Sequence, residues 1–167
     1  GANNILITNP RDIKSFVKEL KKHQFTFISG VNTLFNKLLL DKNFKDCDFS
    51  KLRISLAGGM QVQKNVAEKW QLVTGNVLSV GYGLSETSPA ASIDPIGVDK
   101  FSDTLGLPLP STEISIQDDQ GNHLDFNEPG EICIRGPQVM KGYWNNVKET
   151  KNVMTSDGWF KTGDIGI

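Results

Sequence analysis

Cysteine is scarce in this chain: Cys47 and Cys133 are the only two, and they form no CxxC pair. A disulfide framework or a zinc site is therefore not expected, and a reducing cytosol suits the composition. Histidine is as sparse, with His23 and His123 far apart. Neither sign of charge is in excess, since 18 Lys and Arg stand against 19 Asp and Glu for a net −1. That balance leaves no electrostatic footprint for nucleic acid. No apolar run reaches membrane-spanning length, and no secretory leader is expected. Internal repeats and low-complexity tracts are absent as well. What remains is an ordinary soluble composition, 38% hydrophobic and 22% charged, in a chain long enough to bury a real core without staples. The chain opens almost directly in a strand-like apolar run, Ile5-Leu6-Ile7, and stops at Gly163-Asp164-Ile165-Gly166-Ile167. Natural termini are more often polar, so a piece of something longer is the expectation.

The first half alternates strand and helix signals. Asn9-Pro10 suits a helix start, with Ile13, Phe16, Val17 and Leu20 following at helical spacing. Phe25 to Ile28 reads as a strand ending at Ser29-Gly30, and Leu34, Phe35, Leu38 and Leu39 mark a second helix. Leu52 to Ala57 is a strand ending at Gly58-Gly59. Val62, Val66, Ala67, Trp70 and Val73 share one face of a third helix, and Val77 to Val80 is a strand ending at Gly81. Strands separated by helices imply crossovers and a parallel sheet. Ligands of open parallel sheets sit outside the carboxyl ends of strands, where glycine permits close backbone approach. Three such glycine-bearing ends favour a ligand crevice.

From about Leu105 the helical period vanishes. Ile114 and Ile116, then Ile132 and Ile134, alternate with polar residues around the turn chemistry of Asp118 to Asn122. The expected fold class is therefore α/β: a parallel-sheet β-α-β layer over residues 1–100, followed over 101–167 by a small antiparallel, barrel-like β subdomain.

Two motifs carry chemistry. GYGLSETSP, residues 81–89, lacks the third glycine of a dinucleotide fingerprint and the flanking glycines of a nucleophile elbow. It reads either as a strand-to-helix turn capped by Ser85 or as a site loop. In the second case Ser85 donates to a phosphate, Glu86 is an oxygen ligand for Mg²⁺, and Tyr82 offers a flat face to a base. GWFKTGD, residues 158–164, reads as a hairpin whose Asp164 carboxylate can accept two hydrogen bonds from a vicinal diol such as ribose. GEICIRGPQVMKGYWN, residues 130–145, reads as a strand and loop with packed Tyr143 and Trp144, a scaffold that leaves a further role open for Arg135.

In order, AGGM (57–60), GYGLSETSP (81–89), GEICIRGPQVMKGYWN (130–145) and GWFKTGD (158–164) resemble the adenylate-forming acyl-CoA synthetase superfamily. LITNPRDI (6–13), FISGVNTLFNKLL (27–39) and GLPLPSTE (106–113) make bacterial long-chain fatty-acid–CoA ligases the nearest branch. The resemblance covers essentially the entire chain.

It implies an enzyme that makes an acyl-adenylate from a fatty acid and Mg·ATP, then transfers the acyl group to CoA. Gly58, Gly59 and Met60 match the loop lying against adenine, Tyr82 the ring that stacks on it, and Gly81 and Gly83 its flanks. Ser85 and Glu86 match the phosphate and magnesium residues with a catalytic role, although the family usually has threonine where Ser85 stands. Asp164 matches the ribose aspartate, while Gly30, Val31 and Leu34 resemble the acyl-tunnel lining. The family's phosphate loop, the arginine and hinge beyond TGD, and the lysine-bearing C-terminal domain have no counterpart here, so the chain alone is expected to be inactive. The alternatives are a non-catalytic module binding nucleotide or acyl-adenylate, and a sister ligase for aromatic or short-chain acids. The implied setting is cytoplasmic. A transient contact at the inner membrane face and a homo-oligomeric parent are both compatible with it.

Overall fold

The computed structural model describes residues 2–167. They divide into two units: residues up to Gly81 together with Asp94–Gly106, and Tyr82–Ile93 together with Leu107–Ile167.

In the first unit, α1 (Ile13–Leu20) starts later than the Asn9-Pro10 signal suggests. Asn9 instead shapes the preceding turn, its Oδ1 accepting from the Arg11 amide at 3.2 Å. Asp12 is the cap, accepting from the Ser15 amide at 3.1 Å and the Ser15 hydroxyl at 2.8 Å. An ionised carboxylate at the positive end of a helix gains both orphan donors and dipole. The strand expected at Ile5-Leu6-Ile7 does not form, because a strand needs a ladder partner and no described residue pairs with this run.

β1 (Phe27–Gly30), β2 (Ile54–Ala57) and β3 (Leu78–Tyr82) carry the parallel pairing, with Gly30 opposite Ala57 and Ala57 opposite Val80. α2 (Asn32–Leu40) follows β1 and α3 (Lys64–Thr74) follows β2. The helices bury Phe35, Leu38, Val66, Ala67 and Trp70 together with Phe44, Ala57 and Leu78. Phe35 meets Trp70 edge-on at 4.8 Å between ring centres, and Phe44 lies 5.3 Å from Trp70. The Trp70 indole N–H donates to Ser55 Oγ, which in turn donates to Asn76 Oδ1, so the indole nitrogen and the serine hydroxyl carried into this core are satisfied. Val73, expected on the buried face, is exposed, and Thr74 takes its place, its hydroxyl donating to the Trp70 carbonyl. Gly75, at φ +71°, ends α3 in a left-handed cap. Asp94 is buried, accepting from the Val80 amide at 2.7 Å and the Ser102 hydroxyl at 3.0 Å.

The second unit contains an antiparallel pair, β4 (Ser92–Ile93) with β5 (Leu107–Pro108), and an antiparallel sheet of β6 (Glu113–Gln117), β7 (Gly130–Arg135) and β8 (Phe160–Gly166). α4 (Val147–Val153) precedes β8. The expected alternation holds, with Ile114 opposite Ile134 and Ile116 opposite Ile132. The barrel-like closure does not: β6-β7-β8 is an open sheet, since small closed barrels need about five to eight strands. No helix among the described residues is long and apolar enough to cross a membrane.

Candidate functional site

In the first unit, the register of the parallel strands sets three glycines side by side at the carboxyl ends. The Gly58 amide donates to the Gly30 carbonyl at 3.1 Å. A Cβ on Gly58 would lie 3.1 Å from the Gly81 carbonyl oxygen. Gly59, at φ +73°, turns the chain away in a conformation other residues rarely adopt, with Val31 Cγ1 3.8 Å from where its Cβ would be. Met60 follows, half exposed. Gly30, Val31, Gly58, Gly59 and Gly81 therefore share one sheet edge. Leu34 is partly buried: it packs against the core, and its Cδ2 lies 2.7 Å from where a Cβ on Gly30 would be. Val31 precedes α2 and remains 38% exposed. One residue that the sequence did not signal holds this edge: buried Asn32, whose Oδ1 accepts from the Gln63 amide at 3.0 Å and ties the start of α3 to α2.

In the second unit, the loop after β3 is shaped by Gly83 and Thr87. A Cβ on Gly83 would sit 2.0 Å from the Pro89 carbonyl oxygen, so only glycine fits. The buried Thr87 hydroxyl accepts from the Leu84 amide at 2.9 Å and has the Leu84 and Pro89 carbonyls in reach as acceptors. Between them a single tight turn, Ser85–Thr87, presents Ser85 exposed and Glu86 half-buried.

The Thr162-Gly163-Asp164 segment is not the hairpin turn expected. It lies inside β8 as a bulge: Lys161 faces Cys133 and Ile165 faces Glu131, so three residues oppose Ile132 alone. Gly163 takes φ +78°, and its amide donates to Glu131 Oε1 at 2.8 Å. The Thr162 hydroxyl donates to the Ile132 carbonyl at 2.8 Å, and its oxygen accepts from the Asp164 amide at 3.1 Å. Bulges re-aim side chains, and this one turns Asp164 onto Tyr82, whose hydroxyl donates to Asp164 Oδ2 at 2.7 Å. Burial and then the nearby carboxylate push the Tyr82 phenol up to about 12, so it is a proton donor at any physiological pH.

The Glu86 carboxylate accepts from the Tyr143 hydroxyl at 2.8 Å, and its main-chain carbonyl from the Met140 amide at 2.7 Å. Tyr143 therefore reaches Glu86 rather than packing as scaffold, and Trp144, expected to pack, is 91% exposed. Arg135 is structural: it binds Glu113 through two hydrogen bonds at 3.0 and 2.7 Å and lies 4.6 Å above the Trp159 ring.

For a magnesium ion, the donor chemistry is that of a shared site. No group of three metal-ligating side chains occurs among the described residues. Glu86 offers one carboxylate with one oxygen outside the tyrosine hydrogen bond. Mg²⁺ commonly uses one or two carboxylates plus substrate phosphates, so Glu86 fits that role and not a resident all-protein cage.

The sequence matches the AMP-binding enzyme family over residues 1–144. It is 52% identical over all 167 residues to a long-chain-fatty-acid–CoA ligase of Escherichia coli O157:H7, covering 30% of that protein. It is also 52% identical to the ligase of the same name from Yersinia pestis, over 99% of this chain and 29% of that one. Among solved structures, the ATP-bound MatB of Rhodopseudomonas palustris superposes with a TM-score of 0.83 at 27% identity, over 93% of this chain and 30% of that one. The chain thus spans about a third of the length of the relatives it matches.

Proposed function

The chain belongs to the AMP-binding enzyme family, and on that premise we propose that it supplies one wall of the adenylation site of a long-chain fatty-acid–CoA ligase. The reaction has two displacements. An oxygen of the fatty carboxylate attacks the α-phosphorus of ATP and pyrophosphate leaves, giving acyl-AMP. The CoA thiol sulfur then attacks the acyl carbon, loses its proton and expels AMP. Positioning and charge stabilisation carry most of such chemistry.

The observation that carries this reading is the 2.7 Å contact with Asp164 made by Tyr82, which stands four residues before Glu86. It supports an aromatic face for adenine beside a carboxylate for the ribose diol, with a phosphate donor in Ser85 and the magnesium carboxylate in Glu86. Bound there, Mg²⁺ would neutralise charge on the departing phosphates. Within the first unit, the resemblance assigns the backbone of Gly58, Gly59, Met60 and Gly81 to the base. Val31 is the exposed apolar residue suited to the start of an acyl wall with Gly30, while Leu34 supports it from the core. Each buried CH₂ of a fatty chain is worth roughly 0.8 kcal/mol, so a long apolar wall selects long chains.

Substituted for the matching segment of its Escherichia coli relative, the chain is expected to support fatty-acid-dependent ATP–pyrophosphate exchange, and Glu86→Ala in that chimera to abolish it. Normal exchange in the Glu86→Ala chimera overturns the assignment. Exchange with malonate or an aromatic acid but not with palmitate moves the chain to a sister ligase.

A further inference from the structure

We infer that Tyr143 is a positioning residue for Glu86: its hydroxyl takes one carboxylate oxygen, fixes the side-chain rotamer and leaves the other oxygen available to a cation. The inference rests on the reading of Glu86 as the metal carboxylate.

A glutamate on a tight surface turn has several rotamers, and binding a cation must otherwise select one. Glu86 is held from two sides by one loop. Its carbonyl accepts from the Met140 amide at 2.7 Å, and its Oε1 from the Tyr143 hydroxyl at 2.8 Å. The loop is itself built to place Tyr143. The Tyr143 amide donates to Thr150 Oγ1 at 2.9 Å, and the Thr150 hydroxyl donates to the Asn146 carbonyl at 2.8 Å. The Asn146 amide donates back to the Tyr143 carbonyl at 3.2 Å. Gly142, at φ +148°, passes so close to Thr150 that a Cβ would meet its methyl at 2.6 Å.

Apolar packing does not account for this construction, because the neighbouring Trp144 is almost wholly exposed. The Tyr143 hydroxyl thus serves Glu86 as a hydrogen-bond donor. Tyr82 does the same for Asp164, so the only two tyrosines of the chain each grip one of the two acids assigned to the nucleotide. Partners that orient a ligating carboxylate are worth on the order of 10-fold or more in metal affinity.

The test uses the whole chain labelled with ¹³Cζ-tyrosine, which gives two signals, and Tyr143→Phe identifies one by its loss. Glu86→Ala is expected to shift the Tyr143 signal and leave that of Tyr82 in place. With ATP bound, Mg²⁺ titration of Tyr143→Phe is expected to need about tenfold more cation than wild type, with ATP affinity in EDTA and melting temperature unchanged. An unmoved Tyr143 signal in Glu86→Ala, or an unchanged Mg²⁺ midpoint, overturns the inference. The nucleotide reading beneath it is decided by the exchange activity of the chimera, and the tyrosine signals decide independently whether Tyr143 grips Glu86.

Discussion

The two units are stabilised by different means. The first is an aromatic core: Trp70, Phe35 and Phe44 are fully buried against the helices and the parallel strands. The second has a smaller apolar centre around Ala91, Ile132 and Ile134, and its chemistry-bearing side chains are placed by hydrogen bonds at or near the surface. Apolar burial is non-directional and tolerates small shifts, whereas a carboxylate that must meet a diol or a cation needs directional partners. The first unit exposes glycine backbone at its strand ends; the second holds two carboxylates with tyrosine hydroxyls and a bulge.

The contrast can be broken most severely at Trp70. Trp70→Ala removes the centre of the first core and the donor to Ser55, with an expected loss of about 3–5 kcal/mol in urea unfolding. A loss below about 1 kcal/mol would mean that the aromatic cluster is not what stabilises this unit. Gly83→Ala probes the backbone of the second unit: its Cβ would collide with the Pro89 carbonyl, and overpacking of this kind costs about 1–3 kcal/mol. A neutral result would mean that the loop has room to move.

Asp164→Asn should separate binding from stability. Losing hydrogen bonds to a charged group is expected to cost about 1.5–3 kcal/mol of nucleotide affinity by calorimetry. The fold should change by less than about 0.5 kcal/mol, because Asp164 is exposed. Equal losses in both would make it a structural residue.

The smallest effect lies at alkaline pH. The folded Tyr82 phenol sits at about 12 against an ordinary 10.0, so the unfolded chain releases this proton first. Its contribution is complete below pH 10 and is lost as pH rises towards 12. Cys133, pushed up by burial to about 11 from 9.0, acts in the same direction one unit lower. Tyr82→Phe should therefore flatten only the upper part of the alkaline decline in urea midpoint. A decline unaltered by the substitution would remove Tyr82 from the account.

Much of this was legible in the residues. The periodicity of Phe35, Leu38, Val66, Ala67 and Trp70 marked two buried helix faces, and the alternation at Ile114, Ile116, Ile132 and Ile134 marked an antiparallel sheet, because each pattern states which side of its own element is apolar. The glycines at 30, 58 and 81 marked strand ends for the same local reason. The motifs named a family whose chemistry needs a base, a diol and a phosphate held together.

Other features were decided in three dimensions. Asp12 displaced Asn9 as the cap because its carboxylate gained two donors from Ser15. Thr162-Gly163-Asp164 became a bulge and not a turn because β7 continues past it on both sides. Tyr143 joined Glu86 across 57 residues of chain. The physical reason is one of range. Hydrophobic period, glycine freedom and capping chemistry act within a few residues and are written in local sequence. A ladder register, a bulge that re-aims a carboxylate and a phenol that grips an acid from a distant loop exist only once separate segments have met.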